Sequence, residues 1–151
     1  MRFRQAIATL VLAMLPAASA PAQPAFPVSV PVYGNWCGPA YPANPRTAPP
    51  PLDPLDAACM RHDYCVAVSG TGNCGCDIAF MTELRTSRWP DPFIRRNARA
   101  IYDAIAVLPC NSPSGTAYKY SMFGADIFSD SLSGTPPLAV PDRWQRLFFG
   151  N

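Results

Sequence analysis

Apolar and polar positions change rhythm several times along this 151-residue chain. Ala6–Leu15 is a nearly unbroken apolar run, preceded by Arg2 and Arg4 and followed by the small residues Ala17–Ala22. It is too short to span a bilayer, which takes about 20 residues. With Ala20-Pro21-Ala22 as an A-x-A signature, residues 1–22 read as an export signal cleaved near Ala20–Gln23. Prolines then crowd the chain from Pro21 to Pro54. Each removes an N–H and restricts its predecessor, so this stretch is expected to be extended or looped. Helical patterning starts beyond Pro54. Asp56 stands at a plausible N-terminus, and Ala57–Val68 runs without a breaker. Ser69-Gly70-Thr71-Gly72-Asn73 is a turn cluster. A second helix is expected from about Cys74 to Arg88, with Ile78, Phe80, Met81 and Leu84 as apolar members and Trp89-Pro90 as its breaker. Asp91-Pro92 supplies a cap and a first-turn proline for a third helix, in which Phe93, Ile94, Ile101, Ile105 and Leu108 keep helical spacing. Beyond Cys110 the pattern weakens, and only Asp142–Phe149 looks like a short terminal helix. The expected class is all-α: a disulfide-stapled antiparallel helix pair plus a third helix, behind a long proline-rich N-terminal loop. The expected organisation is one domain over 23–151, divided into a proline-rich segment (23–55), a helical core (56–110) and a C-terminal extension (111–151).

Charge narrows the partners. Removing residues 1–22 takes Arg2 and Arg4 away and leaves ten basic residues against ten acidic ones. A nearly neutral protein is a poor nucleic-acid binder, because that affinity comes from neutralising phosphates. The six cysteines Cys37, Cys59, Cys65, Cys74, Cys76 and Cys110 all lie beyond the signal. An even count in an exported chain reads first as three disulfides, with many connectivities open.

The informative segment is Asp56-Ala57-Ala58-Cys59-Met60-Arg61-His62-Asp63-Tyr64-Cys65. At roughly 100° per residue, taking Cys59 as zero, His62 points near about −60°, Asp63 near about +40° and Val66 between them one turn on. Cys65 falls near about −120° and so faces a different partner from Cys59. A zinc set built on Cys59-x-x-His62-x-x-Cys65 fits poorly, since the three side chains spread over about 120° of one helix. If the two helices fold back about a turn centred between Gly70 and Thr71, Cys65 and Cys76 lie side by side, as a bridge requires. Asp77 then projects at the level of His62. A carboxylate on one imidazole nitrogen fixes the tautomer and supports a general base at the other. Asp63 is left free to hold a cation. Upstream, Tyr33-Gly34-Asn35-Trp36-Cys37-Gly38-Pro39-Ala40 is a glycine-flanked bend. If Cys37 is tied to the first helix, the carbonyls of this bend face Asp63, and Ca²⁺ accepts such mixed oxygen ligands.

Tyr33-Gly34-x-x-Cys37-Gly38 followed by Asp56-x-x-Cys59-x-x-His62-Asp63-x-Cys65 resembles the calcium loop and active-site helix of secreted phospholipase A2. Cys74-x-Cys76-Asp77 is similar to the start of that family's second catalytic helix. The run Leu55–Met60 and the short inter-helix connection look closer to plant and prokaryotic members. The resemblance covers about residues 33–80. It implies a secreted, calcium-dependent hydrolase of the sn-2 ester of glycerophospholipids, releasing a lysophospholipid and a fatty acid at a membrane or micelle surface. It implies His62 as the base that deprotonates water and Asp77 as its orienting partner. Asp63 and the carbonyls of Trp36, Gly38 and Ala40 become the Ca²⁺ ligands, and the Gly38 N–H an oxyanion donor. It further implies bridges Cys37–Cys59 and Cys65–Cys76, with Cys74–Cys110 as the remaining pair.

Three positions depart from the family pattern. Ala40 stands where glycine is usual, which lowers calcium affinity without abolishing it. Val66 replaces a tyrosine that often supports the orienting aspartate, so that bond is lost unless Tyr102 or another hydroxyl supplies it. Ala58 replaces a cysteine. The first two favour a second reading, a phospholipase A2-like binding module or toxin with little turnover. Asp56 reads as a helix cap, and Asp103 as a solvated or network residue. Arg85, Arg88, Arg95, Arg96 and Arg99 read as a solvated basic face with anionic lipid headgroups as the competing use. Trp144, Leu147, Phe148 and Phe149 read as packing on the helical core, with a membrane interface as the competing use.

Overall fold

The computed structural model describes residues 28–135 and 139–149. The export signal expected over 1–22 lies outside the described residues. Within them the chain forms five α-helices, and the sole β pairing is an isolated bridge between Tyr33 and Cys37. The helices are α1 (Pro54–Ser69), α2 (Cys74–Thr86), α3 (Pro92–Val107), α4 (Pro113–Leu132) and α5 (Ala139–Phe149).

Three helices start by the same device. Asp53, Asp91 and Ser112 each cap with a side-chain oxygen that accepts from N–H groups of the first turn, and each is followed by proline. Proline belongs there, because its missing N–H is one the helix could not have used. This corrects the sequence expectation for α1. Its cap is Asp53, whose Oδ1 takes the N–H groups of Leu55 and Asp56 at 2.9 Å each. Asp56 is already inside the helix, and its side chain is fully buried. α2 is capped by Asn73 and stops at Thr86, two residues short of the expected end.

α1 and α2 fold back on each other through Gly70–Asn73. Gly70 (φ 92°) ends α1 with its N–H on the Val66 carbonyl at 2.8 Å. α2 packs on α3, and α3 in turn carries α4 and α5. The core lies where α1, α2 and α3 meet: Leu55, Ala58 and Cys59; Phe80, Met81 and Leu84; Ile94, Ala98, Ile101, Tyr102 and Ala106. The α3 members recur at three- and four-residue spacing, so one stripe of that helix is apolar. Burying each large member stabilises by about 1.5–3 kcal/mol.

The largest departure from the sequence reading is α4, a helix of 20 residues where none is apparent from apolar periodicity. Its inward positions include Lys119 and Asp126, both buried, with Met122 and Phe123 half-buried between them. Its outward face carries Tyr118, Tyr120, Phe128 and Leu132. A helix that hides charges and shows apolar groups defeats a search for an apolar stripe. α5 also begins earlier than expected, at Ala139.

Charges on these helices pair across element boundaries. Arg85 of α2 meets Asp126 of α4 at 2.8 Å, and Tyr102 donates to the same carboxylate. Asp103 is not solvated: it is fully buried between Arg99 (3.2 Å) and Arg143 of α5 (2.6 Å). Arg99 reaches Asp130 of α4 at 2.8 Å. The expected basic face is therefore divided, with Arg85 and Arg99 consumed in these pairs and Arg88, Arg95 and Arg96 left exposed. At the C-terminus Leu147 packs on the core, whereas Phe148 and Phe149 are exposed.

Candidate active site

The site is assembled from the bend at 33–40 and the helix pair. Three disulfides hold it: Cys37–Cys59, Cys65–Cys76 and Cys74–Cys110, with Cα separations of 5.2, 5.7 and 5.1 Å. The Cys59-x-x-His62-x-x-Cys65 spacing therefore offers no thiolate for zinc, since both its sulfurs are bonded to others.

The bend is hung on Asp56. Its carboxylate accepts the backbone N–H groups of Asn35 (2.9 Å), Trp36 (2.8 Å) and Leu52 (2.9 Å). Gly34 (φ 58°) is needed at this point, because a Cβ there would lie 2.3 Å from the Asp56 carboxyl carbon. Gly38 is needed for a similar reason, since its Cβ would meet the Val30 carbonyl oxygen at 2.0 Å. Trp36 is buried, donates its indole N–H to Pro49 O at 2.9 Å and lies 5.5 Å, ring to ring, from Tyr64. The bend thus sits beside the turn of α1 that carries His62 and Asp63. None of this follows from reading Asp56 as a cap. The usable signal is a carboxylate one turn into a helix whose cap position is already filled by Asp53.

His62 stacks on Phe80 with ring centroids 4.6 Å apart, and its side chain is only 14% exposed. Nε2 lies 3.0 Å from Asp77 Oδ1. Nδ1 lies 3.7 Å from Asp63 Oδ1, too long for a hydrogen bond and close enough for electrostatic attraction. Burial opposes a charged ring here, but the two carboxylates outweigh it and raise the His62 pKa above its ordinary value. Asp63 is pushed up by burial, which the neighbouring ring only partly opposes. Asp77 is buried too, yet His62 and Lys119 together hold its carboxyl below the usual range.

Lys119 is the residue that sequence reasoning misses. Its Nζ reaches Asp77 Oδ2 at 2.5 Å and Leu108 O at 2.8 Å. The second oxygen of Asp77 is therefore supported from α4 by an ammonium; the Tyr102 hydroxyl, one group that could have replaced the lost tyrosine bond, is engaged with Asp126 instead.

The donor set suits a hard cation. Asp63 Oδ2 is buried and has no hydrogen-bond partner. Among the described residues no donor reaches the carbonyls of Trp36 and Ala40, while Gly38 O accepts from Tyr41 N at 3.2 Å, leaving a lone pair over. A buried carboxylate oxygen with no hydrogen-bond partner is a ligand that Ca²⁺ accepts, as are peptide oxygens with a lone pair to spare. No group of three or more His, Cys, Asp or Glu side chains gathers among the described residues, so any such site leans on backbone oxygens. Ala40 adopts φ 53°, the left-handed conformation in which glycine costs nothing and alanine about 1 kcal/mol or more.

Compared with known proteins, the chain is 44% identical over 48 residues to phospholipase A2-gamma of Arabidopsis thaliana. That stretch is 32% of this chain and spans a quarter (25%) of the relative's length. No protein-family model matches the chain, and no solved structure matches it. The likeness points to a relationship with the phospholipase A2 family over that part of the chain.

Proposed function

We propose that this protein is a calcium-dependent phospholipase A2, hydrolysing the sn-2 ester of glycerophospholipids to a lysophospholipid and a fatty acid. The observation that carries the reading is His62, bonded to Asp77 through Nε2 while Nδ1 looks toward Asp63, whose buried oxygen lacks a partner. The partial identity to a plant phospholipase A2 supports the reaction class.

Each protein group has a definable task. Asp77 accepts a hydrogen bond from the Nε2–H, which keeps the proton on that nitrogen and the Nδ1 lone pair available. Nδ1 takes a proton from water as the water oxygen bonds to the ester carbon. When the tetrahedral carbon collapses, the bond to the glycerol oxygen breaks and His62 returns the proton to that oxygen. The Gly38 N–H, which donates to no acceptor among the described residues, would bond the developing oxyanion. Asp63 and the carbonyls of Trp36, Gly38 and Ala40 would hold Ca²⁺, which supplies positive charge to the oxyanion when bound. The substrate requires transient contact with a phospholipid membrane or micelle. With no free cysteine, the protein suits an oxidising, extracellular or periplasmic compartment.

Fatty-acid release from phosphatidylcholine vesicles, with and without chelator, tests this reading. Release is expected to stop on chelation, and His62→Gln to slow it by about 10²–10⁴-fold. Asp63→Asn is expected to abolish the heat of a calorimetric calcium titration. Unchanged release by His62→Gln would overturn the assignment. The left-handed Ala40 favours a second reading, a calcium-binding module of low turnover, which predicts the titration heat with no release.

A further inference from the structure

Asp77 gives one carboxylate oxygen to His62 and the other to Lys119. Lys119 is fully buried (0% exposed), a state in which lysine is almost never found without a partner. Its ammonium spends one N–H on Asp77 Oδ2 and one on the carbonyl of Leu108, the residue that ends α3. The lysine thus ties α4 to α2 and to the end of α3 at once.

The helices are brought to this contact at their first turns. The Cys74–Cys110 bridge anchors the start of α2 to the segment just before α4. Gly115 then lies against Cys74 so closely that a Cβ would fall 2.4 Å from its Sγ. Ser112 Oγ accepts from Gly115 N at 3.1 Å, and Thr116 Oγ1 accepts from Cys110 N at 3.0 Å, fixing that turn. Lys119 comes one turn after Gly115, and Asp77 comes three residues after Cys74. Contact at the glycine therefore sets contact at the ion pair.

We propose that Lys119 is a positioning residue of the active site: it locks the Asp77 carboxylate so that Oδ1 meets His62 Nε2, and thereby fixes which ring nitrogen holds the proton. This rests on the reading of His62 as the base. A carboxylate torsion is broad, and a carboxylate bonded only to the imidazole is free to turn. Neutral imidazole has two tautomers, and the bond made by one nitrogen decides which is present. With a separate partner on each oxygen, Asp77 can offer His62 one orientation alone.

His62 is the single histidine of the chain, so its ring nitrogens give unambiguous NMR signals, read at one fixed pH on the full mature protein. The wild type is expected to show a neutral ring with its proton on Nε2. Lys119→Met is expected to draw the two ring-nitrogen shifts together as tautomers mix. It should lower kcat by about 10- to 100-fold while leaving KM and the calcium titration heat unchanged. In an Asp77→Asn background, adding Lys119→Met is expected to cost no further kcat, because the lysine acts through that carboxylate; this double variant also strands no buried charge. Unaltered tautomer shifts and kcat in folded Lys119→Met would overturn the proposal, as would a further loss of kcat in the double variant. The NMR arm needs no turnover, so a wild type inactive on phospholipid refutes the proposed activity while the lysine is still tested.

Discussion

The two ends of the helical assembly are closed by different chemistry. At the bend and the α1–α2 pair, closure is covalent and by backbone: bridges Cys37–Cys59 and Cys65–Cys76, with three peptide N–H groups on Asp56. Where α4 and α5 lie on the rest, the Cys74–Cys110 bridge holds only the start of α4. Beyond it Met122, Phe123 and Leu147 pack on the core, and the polar closure is ionic, through Arg85–Asp126, Arg99–Asp130 and Arg143–Asp103. Bridges constrain the unfolded chain and act whatever the salt or pH. Buried ion pairs can be exchanged for apolar contacts of similar volume at little cost. A carboxylate that holds peptide N–H groups has no such substitute, because the backbone donors stay. The candidate base His62 and the candidate calcium ligand Asp63 are held by the first kind of closure, and Asp77, the orienting partner of His62, lies at the junction of both.

The largest effect is expected from Asp56→Ala. Stranding three backbone donors at about 1–3 kcal/mol each should cost about 4 kcal/mol in urea unfolding and remove the calcium titration heat. Arg143→Met comes next, at about 3 kcal/mol, because it leaves Asp103 buried with Arg99 alone. Pairing it with Asp103→Leu should recover most of that loss. If the double change is as damaging as the single one, the ionic end is not exchangeable and the contrast fails. Acid should act at the junction. The folded pKa of Asp77 is depressed, so its contribution is complete above the ordinary carboxylate pKa of about 3.9. It is lost as pH falls through the depressed folded value, and the Tm advantage of wild type over Asp77→Asn should shrink over that window. Ala40→Gly should stabilise by about 1 kcal/mol, relieving the left-handed alanine, and should tighten calcium binding; a loss of stability there would show that the bend is unstrained. The smallest effect is expected from Arg61→Gln, which removes an exposed pair with Glu83 that bridges α1 and α2. Such pairs contribute about 0.5 kcal/mol or less, so a cost above 1 kcal/mol would mean that ionic closure matters at the bridged end as well.

The bridged end was the legible one. Its signals are local: a glycine bend around Cys37, cysteines and a histidine on one helix, and a short Gly-rich turn that sets which residues stand level. The positions of His62, Asp63 and Asp77 follow from helix geometry and a turn length. α4 was illegible because three of its inward positions, 119, 126 and 130, carry charges beside Met122 and Phe123, while Tyr118, Tyr120, Phe128 and Leu132 point outward. The helix did announce itself at Ser112-Pro113, the same cap-and-proline start as Asp91-Pro92. Lys119 could not be assigned to Asp77 without α4, and Asp56 could not be recognised as a backbone acceptor without the fold of the bend that it serves.

The hydrogen bonds from the Asn35 and Trp36 N–H groups to Asp56 have a thermodynamic consequence. A bend held this way by a first-turn carboxylate of α1 is ordered without a cation, so little ordering entropy is left to be lost when a cation binds. Preorganisation of this kind predicts little change in far-ultraviolet dichroism on adding calcium, and an affinity governed by the oxygens themselves instead of by loop closure.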